Sequence, residues 1–289
     1  MPIFNRCFLA SKKDLNMTII VNKQPIKYFN FSGGECCVSI SNIIIDETTE
    51  VIAYLHNSDD IMCLIMSVDA IRQKNALTNI NLKIPYFPYA RQDRVCNEGE
   101  AFSLSVMANL INNLKCENVT VYDPHSKVTT DLLDNCTVVT QAEILISSVV
   151  VSKILEKQLI LVSPDAGAEN KTRQIADKLN IEAIYCTKIR NSKTGQITKT
   201  QIPGGVSGKS FIIVDDICDR GGTFTEIAKA LKNEGCNELY LYVTHGIFSK
   251  GLELLKKYFK HIYCYHYFSK FANIDPEFLT IMESKQNED

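Results

Sequence analysis

The sequence predicts an α/β protein in which mostly parallel sheets are flanked by helices. Two observations carry this reading. Short apolar runs of strand length alternate with runs of helical periodicity through most of the 289 residues, and that order needs parallel strands joined by helical crossovers. In addition, the run 211–224 passes from an apolar strand through carboxylates and glycines straight into an amphipathic helix. In chain order, strands are expected at 61–66, 82–84, 119–122, 159–162, 183–186, 211–214 and 239–243. Helices are expected at 69–75, 103–114, 171–179 and 226–233. The rhythm splits near residue 140, which gives an N-terminal domain over 1–140 and a C-terminal domain over 141–289, each long enough for a modest core. The segment 191–208, rich in Gly, Ser, Thr and Lys, lies between two strands and reads as a mobile flap with room for a short hairpin. The polar tail from Ser284 is expected to fray.

Composition excludes several classes. A net charge of −2 carries no polyanion-binding signature, so a nucleic-acid partner is not expected. No apolar run reaches membrane-spanning length, and residues 1–13 lack the hydrophobic core and cleavage site of a signal peptide, so a cytoplasmic protein is expected. The 11 cysteines have no zinc-like spacing. Cys36 and Cys37 are adjacent and the others are scattered, many within apolar runs. They read as reduced thiols of a cytosolic protein, with no redox role.

The run FIIVDDICDRGGTF at 211–224 is the most informative stretch. Asp215 and Asp216 stand at the carboxyl end of the expected strand, followed by Asp219, Arg220, Gly221, Gly222 and Thr223. Open parallel sheets bind ligands at that end of their strands. Glycines let the backbone pass close to a phosphate, and amides at a new helix N-terminus point at the anion. Successive strand residues face opposite ways, so one acid can face a sugar or cation while the other orients the loop. A plain polar turn needs no adjacent acid pair. The pattern describes a pocket for a phosphorylated sugar. It resembles the phosphoribosyl-diphosphate binding motif of phosphoribosyltransferases and ribose-phosphate diphosphokinases, in which the acids contact the ribose hydroxyls and the loop holds the 5-phosphate.

A second string, PYFPYARQDR at 85–94, presents Arg91 and Arg94 as planar forks suited to phosphate oxygens, with Gln92 and Asp93 able to hydrogen-bond a base or sugar. It is similar to the PYxxYARQDR signature of ribose-phosphate diphosphokinases, which transferases lack and which binds ATP. Other resemblances to that family fall in the same order along the chain. Phe31, Ser32, Gly33, Gly34 and Glu35 resemble its FSDGE turn, which reaches the adenine of ATP in a neighbouring subunit. Tyr122, Asp123, Pro124, His125 and Ser126 correspond to DLHA, whose histidine lies by the transferred diphosphate and the metal. Ser163, Pro164, Asp165, Ala166, Gly167 and Ala168 resemble the diphosphate loop SPDxGG, where small residues admit backbone amides to the anion. Lys188, Ile189 and Arg190 match the basic pair that begins the catalytic flap, and Thr244, His245 and Gly246 correspond to THP.

The resemblance, over roughly residues 30–250, implies two phosphoribosyltransferase-like domains. It implies a Mg²⁺-dependent transfer of the β,γ-diphosphate of ATP to the anomeric hydroxyl of ribose 5-phosphate, with AMP leaving. Chemistry of this kind is mostly positioning and charge neutralisation. Lys188, Arg190 and His125 are then catalytic. Phe31, Glu35, Arg91, Gln92, Asp93 and Arg94 hold ATP, and residues 165–168 hold the diphosphate. Asp215, Asp216 and residues 219–223 hold the ribose and its 5-phosphate, and His125 and Asp165 lie near Mg²⁺. Active sites shared between subunits imply a homodimer or homohexamer. Departures accompany the matches: Gly33 replaces an Asp, Ala168 replaces a Gly, and the usually basic loop at 95–100 reads VCNEGE, unlike the phosphate-activated, ADP-inhibited main class. Arg220 replaces a phosphate-loop Thr. It can grip the same phosphate, extend into solvent, or accommodate a larger 5-substituent. An acceptor such as ADP-ribose is therefore one alternative. A non-catalytic regulatory homologue and a phosphoribosyltransferase that consumes the diphosphate are others.

Overall fold

The structure, a computed structural model, describes residues 18–190, 197–268 and 275–282, with the backbone alone at 188–190 and 197–200. The stretch 1–13, the centre of the expected flap at 191–196 and the tail from Ser284 lie outside the described residues. The chain divides into two compact units between Val138 and Val139. Among the described residues, no helix is long and apolar enough to cross a membrane.

The first unit runs β1 (Ile19–Val21), β2 (Gln24–Pro25), β3 (Lys27–Asn30), β4 (Cys36–Ser39), β5 (Thr48–Ala53), α1 (Ser58–Lys74), β6 (Asn79–Ile84), α2 (Ser103–Asn112), β7 (Asn118–Tyr122), α3 (Lys127–Leu132) and β8 (Cys136–Val139). Its six-stranded sheet has the order β2-β1-β5-β6-β7-β8. β5, β6 and β7 are parallel, while β1 joins β5 antiparallel. Alternation in β6 turns Ile80, Leu82 and Ile84 into the core. β3 and β4 form a separate antiparallel hairpin.

The run 61–66, expected to be a strand, is helical and belongs to α1. A short apolar run fits either element, and two features decide for helix. Asn57 and Asp60 form a reciprocal capping box at the start of α1. Burial then follows the helical period: Ile61, Cys63, Leu64, Val68 and Ile71 face the core, whereas Met62 and Met66 are 43% and 42% exposed.

The second unit runs α4 (Gln141–Ile146), α5 (Val150–Glu156), β9 (Ile160–Ser163), α6 (Glu169–Leu179), β10 (Ala183–Tyr185), β11 (Thr187–Arg190), β12 (Ile197–Gln201), β13 (Phe211–Cys218), α7 (Gly222–Asn233), β14 (Leu239–Gly246), α8 (Glu253–Lys256), β15 (His261–Tyr267) and β16 (Leu279–Ile281). The sheet β10-β9-β13-β14-β15-β16 is parallel throughout. Its central strand is apolar on both sides because helices cover both faces. Phe211 and Ile213 pack with Ile227 and Leu231 of α7, whereas Ile212 and Val214 pack with Leu145 of α4 and Ile175 of α6. β13 also runs past the expected end at Val214: Asp215, Ile217 and Cys218 keep their register with Val243, His245 and Gly246 of β14. The acid pair is therefore part of the strand.

Candidate active site

In the second unit the strand order reverses between β9 and β13: the chain leaves β9 toward β10, but leaves β13 toward β14 on the other side. A parallel sheet opens a crevice at such a switch point, above the carboxyl ends of the strands. The loop at 164–168 leaves β9 there, and the loop at 219–221 leaves β13 there. The hairpin β11–β12 starts directly beyond the carboxyl end of β10. Its backbone pairs Lys188 with Thr200 and Arg190 with Ile197, with a register shift between Ile189 and Arg190. The side chains of Lys188 and Arg190 lie outside the described residues.

Asp216 is 8% exposed, and its amide donates to Oδ1 of Asp215 at 2.9 Å. Lys171, in the first turn of α6, places Nζ 3.8 Å from Oδ2 of Asp216. Burial, then the charge of Asp216 and more weakly that of Asp165, push the Asp215 carboxyl well above the usual carboxylate range. A crowd of acids in a crevice favours a bound cation or the hydroxyl donors of a sugar. Among the described residues, no three His, Cys, Asp or Glu side chains group into a metal cage. The acids present suit Mg²⁺, a hard ion bound mainly through substrate phosphates and one or two carboxylates. Asp165 also shapes its own loop, because Oδ1 accepts from the amides of Gly167 at 3.0 Å and Ala168 at 3.3 Å.

The loop at 219–223 has the features of an anion cradle. Gly221 sits at φ +76°, and a Cβ there would also lie 3.1 Å from Leu255 Cδ2, so any other residue is strained there. The N-cap of α7 is Gly221, which has no side chain to cap the helix, and backbone amides at a helix start suit an anion. A Cβ on Gly222 would meet no protein atom within 4 Å. Nothing in the fold itself requires glycine there. The connection after β14 braces the loop: Ser249 Oγ donates to Asp219 Oδ1 at 2.5 Å, and the Ile247 and Phe248 amides donate to the Cys218 carbonyl at 2.9 and 3.1 Å. Arg220 is exposed and Thr223 half-buried.

At the end of β14, Thr244 Oγ1 accepts from Gln141 Nε2 at 3.4 Å, and His245 is buried edge-to-face against His266. A Cβ on Gly246 would lie 2.2 Å from Phe248 Cε2 and 2.6 Å from Cys264 Sγ. This is a physical reason why glycine stands where the related segment THP has proline.

In the first unit the expected residues fall on three loops. Residues 85–94 follow the carboxyl end of β6, where Arg91, Gln92 and Arg94 are exposed and Asp93 is half-buried. Tyr89 holds φ +60°, an uncommon conformation for an aromatic residue, in the turn closed by the Gln92 amide on the Tyr89 carbonyl at 2.8 Å. The Gln92 carbonyl accepts from the Leu104 amide at 3.3 Å, which ties this loop to α2. His125 is exposed beyond the carboxyl end of β7, after Asp123 at φ +41°. Phe31 and Glu35 share the β3–β4 turn: the Phe31 amide donates to the Glu35 carbonyl at 2.9 Å, and Phe31, 45% exposed, stacks edge-to-face on Phe29.

Two residues at the site were not legible in the sequence. Lys171 read only as a helix residue, and Ser249 carried no motif. Their places follow from the fold: α6 starts beside β13, and the turn after β14 folds back on the loop at 219–221.

Comparison with known proteins agrees with this architecture. Residues 10–114 match the N-terminal domain of ribose phosphate pyrophosphokinase, and residues 129–275 match a phosphoribosyl transferase domain. A ribose-phosphate pyrophosphokinase of Cereibacter sphaeroides is 31% identical over 83% of this chain and 72% of its own, and one from Hyphomonas neptunium is 33% identical over 78% and 73%. The crystal structure of phosphoribosylpyrophosphate synthetase from Mycobacterium smegmatis superposes with a TM-score of 0.75 at 21% identity, covering 89% of this chain and 85% of that one, and shares the fold. The chain belongs to the ribose-phosphate pyrophosphokinase family, whose members are also termed diphosphokinases.

Proposed function

We propose that this protein is an active diphosphokinase that transfers the β,γ-diphosphate of Mg-ATP to the anomeric hydroxyl of ribose 5-phosphate and releases AMP. The observation that carries the reading is the crevice at the β9–β13 switch point, where Asp215 and Asp216 stand before the glycine-led start of α7. In this reading the ribose hydroxyls donate to Asp215 and Asp216, and the amides at Gly222 and Thr223 take the 5-phosphate. The loop at 165–168 offers amides to the diphosphate. Arg91 and Arg94 hold the ATP phosphates, Gln92 and Asp93 bind the nucleotide, and Phe31 and Glu35 frame the adenine of a partner copy, so a homodimer is the smallest working form. Lys188 and Arg190, carried by β11, neutralise charge on the transferred group, and His125 of the first unit is the third candidate catalytic residue. Asp165 of the second unit and His125 of the first are the candidates to hold Mg²⁺, which would supply further charge neutralisation on the phosphates.

A second reading keeps the chemistry and changes the acceptor. Arg220 is exposed beside the loop, which leaves room for a substituent beyond the 5-phosphate, as in ADP-ribose. AMP release from Mg-ATP, measured separately with ribose 5-phosphate and with ADP-ribose, separates the two. Faster release with ribose 5-phosphate supports the first reading, and faster release with ADP-ribose replaces it with the second. Release with neither makes the chain a non-catalytic homologue.

A further inference from the structure

Cysteine spacing points to no pairing, yet Sγ of Cys36, at the start of β4, lies 2.9 Å from Sγ of Cys63 on α1. Cys63 is fully buried and Cys36 is half-buried, so Cys36 is the more accessible of the two to a small oxidant. Strand alternation turns Cys37 to the other side of β4, away from α1. The surroundings give the pair a purpose. The β3–β4 hairpin is a two-stranded sheet of its own, a form that is marginal without external support. It rests on the start of α1 through Tyr28 Oη to Asp60 Oδ1 at 3.2 Å and Asn30 Nδ2 to Asp59 Oδ2 at 3.3 Å.

We propose that Cys36 and Cys63 are an oxidative modification site, taking a peroxide as co-reactant and forming a disulfide that staples the β3–β4 hairpin to α1. The Cys36 thiolate attacks the peroxide. An S–O bond forms, the O–O bond breaks, and hydroxide leaves to be protonated to water. Cys63 sulfur then attacks the Cys36 sulfenic acid. The S–S bond forms, the S–O bond breaks, and a second water leaves carrying the Cys63 proton. The two sulfurs lose two electrons and the peroxide gains them. Burial, the Cys36 contact and the charges of Asp60 and Asp59 all raise the Cys63 thiol.

The test treats the reduced, full-length protein with hydrogen peroxide, alkylates the remaining thiols and maps the peptides. The expected result is one cross-link joining Cys36 to Cys63 with the loss of two hydrogens, reversed by dithiothreitol. The linked protein should melt several degrees higher, as a staple closing a loop of this size does. Cys36→Ser and Cys63→Ala should each abolish both the link and the rise. Mapping on the natural chain stands even if a variant folds poorly. Cys36 and Cys63 both recovered as free thiols, a link through Cys37, Cys36 driven to an unlinked sulfinic acid, or a link without a rise in melting temperature would each overturn the proposal.

Discussion

Asp215 is an acid placed where its charge is costly. Burial and the neighbouring Asp216 raise its pKa, so the folded protein binds a proton there more tightly than the unfolded chain does. No penalty exists below the ordinary carboxylate pKa of about 4, where both states are protonated. The penalty grows as pH rises above that value and levels off once pH passes the raised pKa. Asp215→Asn keeps an oxygen to accept the Asp216 amide and removes the charge. It should stabilise the protein by about 1 kcal/mol at pH 8, with the gain vanishing near pH 4. Thermal melts across that range check this, and a gain that is flat or negative at pH 8 contradicts it. Lys171 is the cation set against Asp216. If Asp216 binds the sugar, Lys171→Met should raise KM for the sugar phosphate about fivefold, equivalent to about 1 kcal/mol from a partly exposed pair, with kcat little changed. Lys171→Arg should recover most of it. Equal losses in kcat and kcat/KM would place Lys171 elsewhere in the mechanism.

At the scale of elements, the phosphate loop and α7 depend on one backbone angle. Gly221→Ala must hold a Cβ at φ +76° and press on Leu255 Cδ2, and should cost about 1–2 kcal/mol in denaturant unfolding. An unchanged midpoint would show that the loop can re-form around the new side chain. Much at this scale was legible in the sequence. The strand expected at 119–122 came out close to β7 because its alternating residues are bounded by Asn118 and by Asp123-Pro124, whereas the one expected at 239–243 starts with β14 but stops three residues short of its end at Gly246. The run 61–66 did not, because six apolar residues have no period of their own and the deciding signal, the Asn57 cap, sits outside them. The strand end at Val214 fell short because acids normally break strands, whereas here register with β14 carries Asp215 through. The helices α4 and α5 are too short to show a clear stripe. The contact of Cys36 with Cys63 depends on packing between a hairpin and a helix, which no local pattern encodes.

At the scale of the whole molecule, the two units each place their candidate residues beyond the carboxyl ends of parallel strands: residues 85–94 and His125 in the first, residues 164–168 and 219–223 in the second. The common rule is why the quoted motifs fall on loops at strand ends within each unit. The positioning residues Lys171 and Ser249 lacked such a pattern, and only the fold revealed them. If this chain moves a diphosphate, the mass of the sugar product reports it. Incubation of the protein with Mg-ATP and the better acceptor should yield a sugar heavier by two phosphoryl groups, with one AMP formed for each. A product heavier by one phosphoryl group with ADP alongside, or ATP left intact, would contradict the account.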